Sequence, residues 1–193
     1  NKAVGSDPLV LAKAICNADM EGCEEVGTAD EATLSVTDLS KLPQLRAAYE
    51  KMGDEAMRVA QADPKKFFSR YGRQAKKSEN FGRNTRDTGF TNMIDLGDVA
   101  QRTEKLLPKT SKEVVAALDA AVVYKVSGDL KTESHGLSCY YPYQVEQQPA
   151  FEDVRAASDN YKKLYRYLAT GKAPKGQTRS AMFDVSSMED LAL

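Results

Sequence analysis

Leu42, Leu45, Tyr49, Met52, Ala56 and Val59 recur at intervals of three and four residues, so a helix built from this segment carries a single apolar stripe along its length. Directly upstream, residues 33–38 read TLSVTD, in which Leu34 and Val36 alternate with Thr33, Ser35 and Thr37 at the period of a β-strand. A strand feeding a long amphipathic helix predicts an α/β body. The helix is expected to begin at Pro43, to be weakened at Gly53, and to pack its stripe on a sheet.

The flanking segments extend this pattern. Asp7 followed by Pro8 is an N-cap signal, and Leu9, Leu11, Ala12 and Ile15 give a short amphipathic helix ending near Cys16. Residues 19–31 turn acidic and read as a solvated loop punctuated by Gly22 and Gly27; the ligand spacing of a calcium loop is absent, which leaves calcium without a motif. Asp95, with Asp98 three residues on, caps a helix that runs through Val99 and Leu106 to Pro108. Thr110 and Glu113 then form a second capping box. Residues 121–126 read as a buried strand, 128–129 as a turn and 136–141 as a neighbouring strand. Phe151, Val154, Tyr161, Leu164, Tyr165 and Leu168 suggest a terminal helix, followed by a Gly/Pro/Lys-rich loop at 171–176 and a tail.

Composition narrows the class. The 193 residues, 41% hydrophobic and 28% charged, are too apolar for intrinsic disorder and fit one domain, or one domain plus an appendage. Asp119 interrupts the longest apolar stretch, residues 114–124, which is far short of the roughly 20 residues that cross a bilayer. A net charge of −1 argues against nucleic acid or a membrane surface as partner of the chain as a whole. Residues 65–86 are a local exception, with eight Lys and Arg residues against Glu79 and with Phe67, Phe68, Tyr71 and Phe81 interleaved. The leading reading is an exposed loop-helix insertion anchored by its aromatics; base stacking with phosphate contacts, and proteolytic processing, are the alternatives.

Few residues offer chemistry. Three cysteines, Cys16, Cys23 and Cys139, exclude a disulfide scaffold but allow one bridge, free thiols or a nucleophile. His135 is the only histidine, so an internal Cys-His dyad must use it. Ser134-His135-Gly136 invites comparison with the Ser-His-Gly element of caspase-like peptidases. Four strand residues separate His135 from Cys139 by about 13 Å, too far for a dyad. No zinc spacing, phosphate loop or dinucleotide fingerprint is present, and capping accounts for Asp95 and Asp98. Asn1 opens on a polar stretch without a signal-peptide pattern, so the beginning reads as cut, processed or unobserved.

Three blocks together resemble the C-terminal half of clostripain-like cysteine peptidases: TLSVTDLSKL at 33–42, NMIDL with DVA at 92–100, and GLSCYYP at 136–142. The resemblance covers residues 7–143 and implies an α/β fold, the second half of a caspase-like sheet flanked by helices, with a helix-rich C-terminal subdomain. It divides the chain into a later part of the peptidase core (1–42), a helix-rich region with two strands (43–143), and a terminal helix and tail (144–193).

The family's catalytic His and Cys stand in His-Gly and Asp-Ala-Cys contexts upstream of everything here. His135-Gly136 comes too late in the chain, and Asp-Ala-Cys is absent. The resemblance therefore assigns no catalytic, cofactor-binding or metal-ligating residue to this chain. It implies a bacterial, secreted or cell-surface endopeptidase that cleaves after Arg or Lys and processes itself, with the protein's own N-terminal catalytic part as partner. Cys139, Ser134-His135 and the basic insertion depart from the family pattern. The alternative is a non-enzymatic scaffold or binding module using residues 65–86.

Overall fold

A computed structural model describes residues 7–82, 91–141, 159–170 and 172. The architecture is mixed α/β, mostly helical, with two small antiparallel sheets.

Helix α1 spans Pro8–Glu25, with the Asp7 carboxylate accepting from Leu9 N at 2.9 Å. It does not end near Cys16, and the acidic segment is not one loop. Its glutamates are good helix formers, and Gly22 is tolerated within the helix. The stop is Gly27, at φ +71°, where Thr28 N reaches back to Cys23 O at 2.9 Å and Gly27 N to Glu24 O at 3.1 Å. A 3-10 turn at Ala29–Glu31 leads into β1, Thr33–Thr37, while Asp38 caps the next turn through Ser40 N.

Helix α2 spans Leu42–Ala62 without a break at Gly53. Its stripe packs on helices, not on a sheet. Met52, Ala56 and Ala60 are buried against α5, Pro108–Ala121, and α6, Asp159–Thr170. The reason lies in size: each sheet has two short strands and cannot cover a 21-residue helix. Tyr161 of α6 explains Gly53. A Cβ there would stand 2.6 Å from the Tyr161 ring, which stacks on Tyr49 with centroids 4.0 Å apart.

Asp63 caps α3, Pro64–Ala75, by accepting from Lys66 N at 3.0 Å. Phe67 and Tyr71 anchor the helix to the body, stacked on each other at 5.0 Å. Lys65, Lys66, Arg70 and Arg73 are exposed; Arg83 and Arg86 lie outside the described residues.

A short strand, β2 at Met93–Asp95, precedes α4, Leu96–Arg102. The helix stops before Leu106, at Thr103, whose hydroxyl donates back to Val99 O at 2.7 Å while the chain tightens into turns. The capping box expected at Thr110 does not form. Pro108 opens α5, Thr110 donates instead to Glu55 Oε2 at 2.7 Å, and Glu113 faces Lys51 and Lys109.

Strand β3, Val122–Ser127, alternates half-buried and exposed residues and so is not a fully buried strand; Val123 is 40% exposed. It pairs antiparallel with β1, Leu34 opposite Val126 and Val36 opposite Tyr124. Strand β4, Ser138–Tyr140, is not its neighbour. β4 pairs with β2 in the second sheet, Ile94 opposite Cys139. In α6, Tyr161, Leu164, Tyr165 and Tyr167 are buried, whereas Phe151, Val154 and the tail lie outside the described residues.

The two helical glycines should respond oppositely to a methyl group. Gly22→Ala meets open space and should gain up to about 1 kcal/mol from helix propensity. Gly53→Ala should lose stability despite the same propensity gain, because the Tyr161 ring must move. Urea unfolding measures both; a stabilised Gly53→Ala would contradict this packing.

Candidate functional site

Chemically capable side chains gather where α4 begins. Asp95, the last residue of β2, is completely buried. Its Oδ1 accepts from Asp98 N at 2.8 Å, which is the cap read from sequence. The same carboxylate also holds His135: Oδ2 accepts from His135 N at 2.7 Å, and Oδ1 lies 2.8 Å from His135 Nδ1. Gly97 makes room for the imidazole, since a Cβ there would fall 2.3 Å from His135 Cγ.

The other ring nitrogen is occupied as well. His135 Nε2 lies 2.9 Å from Gln101 Nε2, so the Gln101 amide donates to an imidazole whose proton sits on Nδ1. Such a ring is oriented like a histidine of a catalytic triad, yet its outward nitrogen faces an amide, not a hydroxyl or thiol. The hydrogen bond that its Nδ1–H donates to Asp95 holds His135 above its ordinary pKa, aided by the charge of Asp95 and opposed by partial burial and by Lys125.

The cysteines lie elsewhere. Cys139 is buried beneath the Tyr49 and Tyr165 hydroxyls, and burial pushes its thiol up to about 12, so it is protonated and unreactive at neutral pH. Cys16 is buried and Cys23 half-buried, both on α1. His135 therefore holds a carboxylate and an amide, and Cys139 two phenols.

Around this node the turn at 131–136 is pinned from several sides. Lys131 is buried, its Nζ 3.3 Å from Glu79 Oε1 and donating to Asn80 O at 2.7 Å. Lys125 Nζ donates to Ser134 O, Thr33 Oγ1 lies 3.1 Å from Ser134 Oγ, and Ser35 Oγ donates to Gly136 O at 2.6 Å. Beside these contacts a polar depression of about 200 Å³ is lined by Thr33, Leu34, Ser35, Phe81, Gly136 and Ser138. It is smaller than the ~300 Å³ lower bound of ordinary ligand pockets. The arrangement orients backbone and links sheets, and among the described residues it presents no poised nucleophile.

Sequence reading found the Asp95 cap but missed the bond to His135, because the partners stand 40 residues apart and no local spacing encodes them. Among the described residues, no group of three or more His, Cys, Asp or Glu side chains is placed to hold a metal ion, and no helix is long and apolar enough to cross a membrane.

The raised His135 pKa sets a sign. The folded state retains its proton to higher pH than the unfolded chain, so the stabilisation is complete below the ordinary value near 6.5 and is lost as pH rises through the folded value. Urea midpoints should fall as pH rises above ~6.5 in the wild type and stay nearly flat in His135→Gln; equal slopes would contradict the assignment. Asp95→Ala, which removes a cap and leaves the donors of His135 unmatched, should cost about 3 kcal/mol at pH 7.

No protein-family model, no curated protein and no solved structure matches this chain.

Proposed function

We propose that this chain is the later portion of a clostripain-like cysteine endopeptidase and that it supports a catalytic part lying upstream in the same protein. The observation that carries this reading is an unfinished layer. Among the described residues the β1–β3 ribbon has two strands, all five β1 residues are only half-buried, and α1 packs on both strands while leaving Val10 (59%), Leu11 (45%) and Ile15 (59%) exposed. An isolated two-stranded ribbon is marginal in water, and its open edges invite a further strand. A preceding α/β half would supply that strand and cover the α1 stripe. A caspase-like sheet, with β1 and β3 as later members, is the arrangement the resemblance implies.

The three sequence blocks behind the resemblance also meet in space, which supports treating them as one unit. β2 pairs with β4, Asp95 opposite Ser138, and Ser35 of β1 donates to Gly136 O. They meet at the His135 turn, whose imidazole is committed to Asp95 and Gln101.

In this reading the thiolate that attacks the peptide carbonyl, the His that protonates the leaving amine and the amides that hold the oxyanion belong to the upstream part. Cleavage follows Arg or Lys, the enzyme is bacterial and secreted or displayed at the cell surface, and the present chain supplies support strands, helices and one wall of the cleft. It contributes no cofactor ligand.

The test compares the intact protein with the 193-residue chain on fluorogenic peptides ending in Arg or Lys. Hydrolysis is expected from the intact protein and not from the chain alone; activity in the chain alone, or none in the intact protein, would refute the proposal. Replacing Cys16, Cys23 or Cys139 by Ala, or His135 by Gln, should leave intact-protein activity within about a few-fold, whereas a loss on the scale of a missing nucleophile at any of them would place the chemistry here.

A further inference from the structure

Several cations on this surface pair with carboxylates, whereas among the described residues no cation on α3 does. Arg46 pairs with Glu50, Arg58 with Glu55, Lys109 with Glu113 and Lys112 with Glu104. On α3 and the turn after it, Lys65, Lys66, Arg70, Arg73, Lys76 and Lys77 are all exposed, and none has a carboxylate within 4.0 Å among the described residues. A helix face that is merely solvated ordinarily mixes signs, because like charges at i,i+4 repel. Here Lys66 and Arg70 stand at that spacing without relief.

The cations are ordered along the helix. Lys65, Ser69 and Arg73 form one i,i+4 row and Lys66 and Arg70 a second, with successive members about 6 Å apart along the axis. Such a step can be followed by an extended phosphodiester backbone. Arg73 Nη2 donates to Ser69 Oγ at 3.3 Å, which aligns the first row. At the rim of the rows Phe68 is 44% exposed, and its ring meets Tyr167 edge-on, with centroids 6.4 Å apart and planes at 75°. That contact holds an aromatic platform beside the cations.

Independently of any peptidase role, we propose that the exposed face of α3 binds single-stranded nucleic acid, the cation rows following its phosphates and Phe68 stacking a base. The net charge of −1 conceals this face because acidic residues elsewhere, including Glu21, Glu24 and Glu25 on α1, offset it. A lipid surface fits less well: Phe67, Tyr71 and Ala75 are buried in the body, leaving α3 no apolar face to sink into a bilayer. An acidic polypeptide would match the charge but would not need the aromatic rim.

The experiment is fluorescence anisotropy of the full chain with a labelled oligothymidine of about a dozen nucleotides, within the usual range of single-strand site sizes and longer than the 12-residue helix face. Binding should appear near 20 mM salt and weaken linearly in log–log form with a slope of about −2 to −3, as expected for three or four neutralised phosphates of a single strand. Arg70→Glu with Arg73→Glu should lower affinity about tenfold or more and flatten the slope. Phe68→Ala should lower affinity by about fivefold or more and leave the slope unchanged. Thermal melting by circular dichroism checks that each variant folds, and Lys65→Glu with Lys66→Glu provides a second charge reversal on the same face. No binding by the wild type at 20 mM salt, unchanged affinity after both reversals, or tighter binding of polyglutamate or phosphatidylserine vesicles than of the oligonucleotide would overturn the proposal.

Discussion

A carboxylate stripped of water is destabilising unless donors replace the solvent, and Asp95 receives three: the amide of Asp98, the amide of His135 and the imidazole of His135. With one side chain the fold starts α4, ends β2 and fixes a turn that comes from far along the chain. The surrounding residues conform to it. Gly97 has no side chain because the imidazole fills that space, and Asp98, itself buried, turns to accept from Glu79 N at 2.8 Å and to face Arg102. The β1–β3 ribbon is joined to the same turn through Thr33, Ser35 and Lys125. Two small sheets thereby become one assembly.

Beneath that assembly the core is helical and rich in phenols. Tyr49, Tyr161 and Tyr165 crowd together, with the Tyr49 and Tyr165 hydroxyls 2.7 Å apart, and burial holds all three well above the ordinary tyrosine pKa. These rings give α2 its partner in α6 and explain how a long amphipathic helix is covered without a large sheet. They also enclose Cys139, so the thiol nearest His135 in sequence belongs to the core. An imidazole and a thiol in one short segment thus serve different parts of the structure.

What could be read in advance was local. The Asp7-Pro8 start, the Asp95 cap and the α2 stripe each depend on residues a few positions apart, and each recurs in the structure. Most of the errors arose where distant partners decide. Thr110 satisfies the spacing of a capping box, but Glu55 on α2 takes its hydroxyl. Strand β2 has only three residues, too few for a period, and exists because β4 and Asn80 flank it. Gly22 and Gly27 look alike as punctuation, yet only Gly27 occupies the left-handed conformation that ends a helix. The candidate site was half legible for the same reason: Asp95 announced its cap, and nothing in the spacing announced His135.

The claim that one buried carboxylate and one imidazole act as a unit is tested most directly by a double-mutant cycle on urea stability, with Asp95→Asn, His135→Gln and the double variant. At pH 6 the two substitutions should be non-additive, with a coupling energy of about 1 kcal/mol or more, and the coupling should shrink at a pH above the raised value of the folded imidazole, where its charge is gone. Additive losses at both pH values would mean that Asp95 and His135 stabilise the fold separately and that the clamp described here does not exist.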